Sequence, residues 1–208
     1  MKKYMKSFAV IVALSTAAFA GTTASNTNTV SPTLKVTATI QSAVQLTLST
    51  GTAAVTHCAV TPGGGADFSM DFGTVDALAI NAGNCNKFAP TTPGTTDAIY
   101  WSDYNLNPVF TSQAATATPN VKAFVSTNFA SNNIYIARSA TSTSATVPAA
   151  ATDFAPMSTT AATPDTIVSP VASGTAATRF IGVGVKPTNG AGLTGAQTAT
   201  VTFTLTVQ

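Results

Sequence analysis

The sequence predicts an all-β protein, folded as an antiparallel β-sandwich, on the strength of three observations. The chain of 208 residues is rich in Thr, Ala, Val, Gly and Ser and contains no Glu, and β-branched side chains fit the pleated surface of a sheet. Apolar and polar residues alternate along many short segments, which gives a strand one buried and one exposed face. Clusters of Gly, Pro and Asn separate these segments, as turns do between strands.

Residues 1–20 are predicted to form a signal peptide that is removed on export. Three lysines lie within the first six residues, an apolar run follows at 8–14, and Ala18-Phe19-Ala20 provides a small-x-small cleavage site. Cleavage after Ala20 leaves Gly21 as the first residue of the mature chain. A membrane-spanning helix needs about 20 consecutive apolar residues, and no segment after residue 20 has such a run. We therefore expect a secreted protein with no membrane insertion after cleavage.

Removal of the signal peptide changes the sign of the net charge. The full chain has nine Lys and Arg against seven acidic residues, all of them Asp. Without the three N-terminal lysines, six basic residues face seven acidic ones, for a net charge of −1. No basic patch remains to bind nucleic acid, so we expect no nucleic-acid partner.

The longest alternating pattern, Leu34–Ser49, is too long for one strand of a domain this size, because strands usually run about 5–6 residues. It divides naturally at Gln41-Ser42-Ala43. Residues 44–49 are then the first strand of a domain spanning 42–208. Residues 30–40 are a separate strand within an N-terminal arm, residues 21–41.

The rest of the chain contains many short strand patterns. They lie at residues 52–60, 67–75, 78–80, 98–101, 121–127, 132–138, 179–186 and 198–207. So many strands with turn signals between them predict an immunoglobulin-like antiparallel sandwich. Residues 139–178 are rich in Ala, Thr, Ser and Pro, and we expect a low-complexity insertion that forms a surface excursion or is poorly ordered.

The residues that could carry chemistry predict that the protein is not an enzyme and holds neither metal nor cofactor. His57 is the only histidine, which excludes a site with two His ligands, and we expect it on the surface or near a loop. No sequence context marks a nucleophilic Ser for a Ser-His-Asp triad. Asp67, Asp71 and Asp76 do not have the spacing of a calcium loop.

The two cysteines, Cys58 and Cys85, predict one disulfide, because an exported chain with just two cysteines most simply pairs them. Two free thiols are the alternative. Closing this loop of 27 residues would stabilise the fold by about 3.5 kcal/mol on the chain-entropy account.

Several short motifs resemble the spore coat U family, which includes the major subunits of archaic chaperone–usher pili. Phe72-Gly73 follows the stretch that contains the first cysteine, an alternating arm precedes the domain, and Thr and Val alternate in the last strand. The chain departs from the family pattern at Val44, where a Cys is common, and at Gly195-Ala196, where Gly-Tyr is common.

This resemblance implies a structural subunit of an extracellular filament or pilus, with a role in adhesion or biofilm formation. In such filaments the arm of one subunit completes the sandwich of its neighbour by donor-strand complementation. The resemblance implies identical subunits as partners, with a periplasmic chaperone and an outer-membrane usher. The donor-strand residues would be Val30, Leu34, Val36, Ala38 and Ile40.

Two alternatives remain open at the level of sequence. The arm could fold back in cis and complete its own domain as a monomer. The protein could also be a secreted monomeric binding module, in which Tyr100, Trp101 and Tyr104 form a platform for a carbohydrate.

Overall fold

The computed structural model describes residues 35, 37–38, 43–63, 67–111, 118–139, 146–187 and 195–207. The chain divides into two units, residues 1–39 and 40–208, and the second contains every strand that the structure describes. These strands are β1 Val44–Thr50, β2 Val60–Pro62, β3 Phe68–Met70, β4 Asn86–Phe88, β5 Ala98–Phe110, β6 Asn120–Thr127, β7 Ile134–Ser139, β8 Phe154–Pro156, β9 Asp165–Val168, β10 Ala177–Val185 and β11 Thr200–Thr206. A short 3-10 turn, Ala151–Asp153, precedes β8.

The strands form two main sheets and one hairpin. The larger sheet has the order β1-β5-β10-β7-β8, with β4 paired to the beginning of β5. The smaller sheet has the order β11-β6-β9, and β2 pairs with β3. Every pairing is antiparallel. The prediction of an all-β protein with antiparallel sheets is therefore confirmed.

The inner faces of the two sheets share the main hydrophobic core, as in a β-sandwich. Alternate residues of a strand point to the same face of its sheet. The residues on the inner faces of the two sheets therefore meet in this core. From the larger sheet come Tyr104, Leu106, Phe110, Ile136 and Val183, and from the smaller sheet Val121, Ala123, Val125, Ile167 and Val168.

Strand β5 is much longer than the predicted strand at 98–101. Its second half contains Asn105, Asn107 and Pro108, which disfavour strands. The Asn side chains bond to neighbouring strands: Asn107 donates to Ser49 Oγ at 3.0 Å, and Asn105 accepts from Thr178 Oγ1 at 2.7 Å. Pro108 lies beyond the last residue of β5 that pairs with β10, so its missing N–H costs no bond to β10.

Residues 52–59, predicted as part of a strand, form a loop over the outer face of the larger sheet. Ala53 and Val55 pack there against a second hydrophobic cluster, which contains Ile99, Trp101, Ala137, Phe154 and Phe180. Of the predicted strand, only Val60 pairs with another segment, as the first residue of β2. Alternation alone cannot distinguish such a loop from a strand, because in both every second side chain packs against the rest of the domain.

The expectation of an insertion at 139–178 is wrong for the residues that the structure describes there. This segment supplies β8, β9 and the start of β10, and it buries Phe154, Met157, Ile167, Val168 and Val171. Although Thr, Ser and Ala are abundant in this segment, its few large apolar side chains pack in the core of the domain. The segment therefore belongs to the sandwich.

The remaining strand predictions agree with the structure at the level of elements. The patterns at 44–49, 121–127, 132–138, 179–186 and 198–207 correspond to β1, β6, β7, β10 and β11. The pattern at 67–75 yields only the three residues of β3. The predicted strand at 78–80 is instead a hydrogen-bonded loop.

Candidate functional site

A largely apolar groove lies between the edge strands of the two sheets. Its volume is about 620 Å³. It is lined by Leu46 and Leu48 of β1, Tyr104 of β5, Ile136 of β7, Ile181 of β10, Val201 and Phe203 of β11, and Val60, Phe68, Met70 and Phe72 of the β2–β3 region. The groove is thus a part of the main core that remains open to solvent.

Both strands that border the groove are sheet edges. β1 pairs only with β5, and β11 pairs only with β6, among the residues that the structure describes. The second side of each strand therefore presents backbone N–H and C=O groups with no strand beside them, which makes an edge a template for another strand. Leu46, Leu48, Val201 and Phe203 are only partly buried. The apolar side chains between these two edges therefore remain partly exposed.

The β2–β3 hairpin forms one wall of this groove, and it is tied to the larger sheet. The N–H of Val60 donates to Thr50 Oγ1 at 2.9 Å. Just before β2, buried Cys58 forms a disulfide with Cys85, and their Cα atoms lie 5.2 Å apart. The predicted disulfide is confirmed, and it anchors the base of the hairpin.

The predicted donor strand lies mostly outside the described residues. Val30, Leu34, Val36 and Ile40 are not among them, and neither are the cleavage residues Ala20 and Gly21. Ala38 is described and is exposed, as are Lys35 and Thr37. The predicted role of these residues in contacting another subunit therefore stays a prediction.

The described part of the second unit begins at Ala43, which bonds to the residue that follows β5. Ala43 immediately precedes β1, and its N–H donates to Thr111 Oγ1 at 2.8 Å. Its carbonyl oxygen accepts from the N–H of Thr111 at 3.1 Å. These two bonds extend the β1–β5 pairing by one residue.

His57 lies in the loop that precedes β2 and pairs with a buried carboxylate. Its Nδ1 is 2.6 Å from Asp103 Oδ1, and the Asp103 side chain is fully buried. The other carboxylate oxygen accepts from the N–H of Ala53 at 2.8 Å. Gly51 passes so close to this carboxylate that any Cβ would collide with it. The pair therefore fastens the loop to β5.

This histidine lacks the partners of a catalytic triad within the described part of the chain. No Ser or Thr hydroxyl there hydrogen-bonds to His57. Ser102, next to Asp103, is buried and accepts from the N–H of Cys58 at 2.9 Å. The geometry thus favours a structural His–Asp pair, in agreement with the expectation of a loop-proximal histidine.

The three aspartates considered for calcium have other partners or positions. Asp67 lines the groove, and Asp71 accepts from the N–H of Gly73 at 2.8 Å. Asp76 holds the backbone of its own loop. In the described ranges, no group of three or more His, Cys, Asp or Glu side chains could hold a metal ion.

The carboxylate of Asp76 organises residues 76–81, here called the 76–81 loop. Its Oδ1 accepts from the N–H of Leu78 at 2.9 Å and of Ile80 at 3.1 Å. Its Oδ2 accepts from the N–H of Asn81 at 2.7 Å and from the Tyr100 hydroxyl at 3.1 Å. Burial alone would raise the pKa of Asp76, but these hydrogen bonds favour the charged form more strongly and lower the pKa to about 2.

The three aromatic residues proposed as a carbohydrate platform are buried. Tyr104 lies in the main core, Trp101 in the outer cluster, and Tyr100 in a third cluster with Ala79 and Ala98. Burial raises the pKa of the Tyr104 hydroxyl well above its usual range, although the nearby Arg179 charge acts in the opposite direction. None of the three rings offers a face on which a sugar could stack.

No protein-family model, no curated protein and no solved structure matches the chain. Within the part that the structure describes, no helix has both the length and the apolar character needed to cross a membrane. The disulfide is compatible with an exported protein, since disulfides persist in oxidising compartments.

Proposed function

We propose that the protein is a structural subunit of an extracellular filament that polymerises by donor-strand complementation. The observation that carries this proposal is the open apolar groove between β1 and β11. The N-terminal arm of one copy would lie in this groove of the next copy and complete an immunoglobulin-like sandwich. The Thr-rich outer face of β11 would then contribute to a weakly charged filament surface.

The arm has the pattern that such a groove requires. Leu34, Val36, Ala38 and Ile40 are spaced by two residues, so in an extended strand they share one face. Burying Leu34, Val36 and Ile40 contributes about 1.5–3 kcal/mol each before ordering costs. The strand's backbone can pair with the free edge of β1 or β11, as in other cases of strand addition.

The link between arm and domain favours donation to another copy over folding back in cis. Tight two-residue hairpin loops need Gly, Asn or Asp, because their backbone adopts positive φ. The residues between Ile40 and Ala43 are Gln41 and Ser42, which are poor in such turns. The hydrogen bonds between Ala43 and Thr111 also hold the start of β1 in line with its strand.

An open groove also explains the need for the proposed assembly partners. A monomer that exposes an apolar groove and two strand edges is prone to aggregation. A periplasmic chaperone that covers the groove and an outer-membrane usher that exchanges it for the arm would solve this problem. A role of the filament in adhesion or biofilm formation is part of the same proposal.

The test compares the mature protein with a variant that lacks Gly21–Ile40. We expect filaments by electron microscopy from the full mature chain and none from the truncated variant. A synthetic peptide of residues 29–40 should raise the melting temperature of the truncated variant. The same peptide with Val36→Asp and Ile40→Asp should not raise it.

One pattern of results would contradict the proposal. If the full mature chain stays monomeric, and the truncated variant is equally stable with or without the peptide, then the groove does not receive the arm. The protein would then be a monomeric sandwich.

A further inference from the structure

The mature chain has two methionines, and they differ in their access to solvent. Of the four in the sequence, Met1 and Met5 lie in the predicted signal peptide, which leaves Met70 and Met157. Met157 is buried in the main core, with an exposed fraction of 3%. Met70 is only partly buried and lines the open groove. The two side chains thus have the same chemistry in opposite surroundings.

Met70 lies in the wall of the groove that the β2–β3 hairpin forms. It is the last residue of β3, and the hairpin lies outside both main sheets. Its strand partner is Val60, which also lines the groove. Because the groove is open to solvent, a small reagent that enters it meets Met70, whereas the same reagent must open the core to meet Met157.

A thioether in an open groove is a site for two-electron oxidation by a peroxide. One oxygen atom of hydrogen peroxide forms a bond to the sulfur as the O–O bond breaks. The sulfur is oxidised to the sulfoxide, and the peroxide is reduced to water. Both cysteines of the chain are in the disulfide, so no thiol of the protein competes for the oxidant. Methionine sulfoxide reductases reverse the change.

Oxidation changes what this wall of the groove can pack against. A thioether is apolar and adapts to irregular apolar surfaces, while a sulfoxide is polar and chiral. The neighbours of Met70 in the wall are Val60, Phe68 and Phe72, whose side chains donate no hydrogen bond. An apolar strand laid over this wall would bury the sulfoxide oxygen among apolar side chains, which is unfavourable.

An arm strand in the groove would cover Met70 in whichever direction it runs. Residues 30–40 in extended form are about 36 Å long, at 3.3 Å per residue. The edge strands that border the groove, β1 and β11, have seven residues each and are about 23 Å long. A donated strand is longer than either edge, so it extends along the whole edge and past the hairpin wall from either end.

We propose that Met70 is an oxidation site that controls whether the groove can receive the arm. This inference rests on the proposed filament. As the thioether, Met70 belongs to the apolar wall that the arm covers, and as the sulfoxide it prevents the arm from docking. Subunits are then open to oxidation before assembly and protected after it. Peroxide would stop the growth of filaments without dissolving finished ones.

Peptide binding before and after oxidation tests this control. The mature full-length chain with Val36→Asp and Ile40→Asp keeps its groove and has a disabled arm, and the peptide of residues 29–40 contains no sulfur. Mild treatment with hydrogen peroxide should oxidise Met70 and spare Met157, as measured by mass spectrometry of proteolytic fragments. The dissociation constant of the peptide should then rise about tenfold or more. An unchanged constant after full oxidation of Met70 overturns the inference and leaves the filament standing.

Two matched variants in the same arm-disabled chain assign the effect to one sulfur atom. With Met157→Leu, peroxide should weaken peptide binding as before. With Met70→Leu, the dissociation constant of the peptide should be the same before and after peroxide. A loss of affinity that persists in Met70→Leu contradicts the assignment, and so does equal oxidation of the two methionines.

Assembled filaments test the protection. In filaments of the unaltered mature chain, Met70 should oxidise at least about tenfold more slowly than in the arm-disabled chain, because the docked arm covers it. Equal rates of oxidation contradict the inference. If the untreated chain forms no filaments and the untreated arm-disabled chain binds no peptide, the proposed filament fails as well.

Discussion

Two aspartates stabilise segments that lack the ladder bonds of a sheet. Asp103 is buried and holds the loop before β2 through Ala53 and His57. Asp76 holds the 76–81 loop through three backbone N–H groups. A carboxylate that accepts several N–H groups replaces a strand partner, because it satisfies backbone donors that would otherwise have to find water. Single side chains therefore decide the conformation of both loops.

Replacing Asp76 with Asn should destabilise the domain at neutral pH. The amide carries no charge and accepts more weakly, so we expect the free energy of unfolding to fall by about 1–2 kcal/mol. Urea denaturation followed by circular dichroism measures this. Asp71→Asn is the matched control, because the Asp71 carboxylate accepts from a single backbone N–H in the same region, and it should lose less. Equal losses in the two variants would show that the loop does not depend on Asp76.

The contribution of Asp76 to stability should also depend on pH, and the Asp76→Asn variant measures this. The pKa of Asp76 is about 2 in the fold and 3.8 as an ordinary side chain. A lowered pKa contributes stability that is complete above the ordinary value and is lost as the pH falls through the lowered one. The stability difference between the natural chain and Asp76→Asn should thus be constant above pH 4 and shrink towards pH 2. A difference that does not change over this range contradicts the assignment.

Replacing both cysteines with Ala tests the link at the base of the β2–β3 hairpin. Without the disulfide the unfolded chain gains the freedom of the loop, so the free energy of unfolding should fall by about 3.5 kcal/mol. The measurement is urea denaturation of the double variant beside the oxidised natural chain. A loss under about 1 kcal/mol would mean that the disulfide contributes little to the stability of the domain.

Residue partners were the least predictable part of the site. The two cysteines could be paired from the sequence because the chain has no others. His57 could not be assigned to Asp103, which lies 46 residues away, since any of seven aspartates was a possible partner. The role of Asp76 was also missed, although an Asp followed by short apolar residues and Asn is a common signal for a side-chain-stabilised turn.

At the level of elements, clean alternation was a sufficient signal. The sequences of β1, β10 and β11 each have a period of two, so periodicity located them. β5 was underestimated because Asn105, Asn107 and Pro108 look like turn residues, and their compensating bonds come from distant strands. β9 was missed because its four residues lie among Thr and Pro. Such strands exist only through tertiary contacts.

The segment 146–178 should behave as part of the core under mutation. Val168→Ala removes two methyl groups from a side chain that is 4% exposed, so we expect a loss of about 2–3 kcal/mol. Val147→Ala makes the same chemical change in a side chain that is 42% exposed, and it should change stability by less than about 0.5 kcal/mol. Thermal and urea unfolding measure both. Equal losses of stability in the two variants would contradict the assignment of this segment to the core.

At the level of the whole molecule, the sequence predicted that the long N-terminal pattern divides but could not predict the groove. The division followed from strand length, and β1 begins at Val44, where the second part was expected. The groove depends on which strands lie at the sheet edges and on a hairpin of two three-residue strands. Edge positions follow from the order of strands in each sheet, which periodicity does not determine.

Mixing two disabled variants distinguishes donation of the arm from folding in cis. Val36→Asp with Ile40→Asp places charges on the apolar face of the arm and leaves the groove intact. Met70→Asp places a charge in the groove wall, in a hairpin outside both main sheets, and leaves the arm intact. Burying an unpaired charge is strongly unfavourable, so neither variant should polymerise alone. Thr204→Asp, on the exposed face of β11, is the control and should polymerise normally.

Together the two disabled variants should form a complex of two subunits and nothing larger. The intact arm of Met70→Asp can enter the intact groove of the arm variant, and the remaining arm and groove are both disabled. Size-exclusion chromatography with light scattering measures this mass directly. If the arm folds back in cis, each variant carries its own defect and mixing produces no complex. The mass of the mixture therefore reports whether the strand before β1 completes its own domain or that of a neighbour.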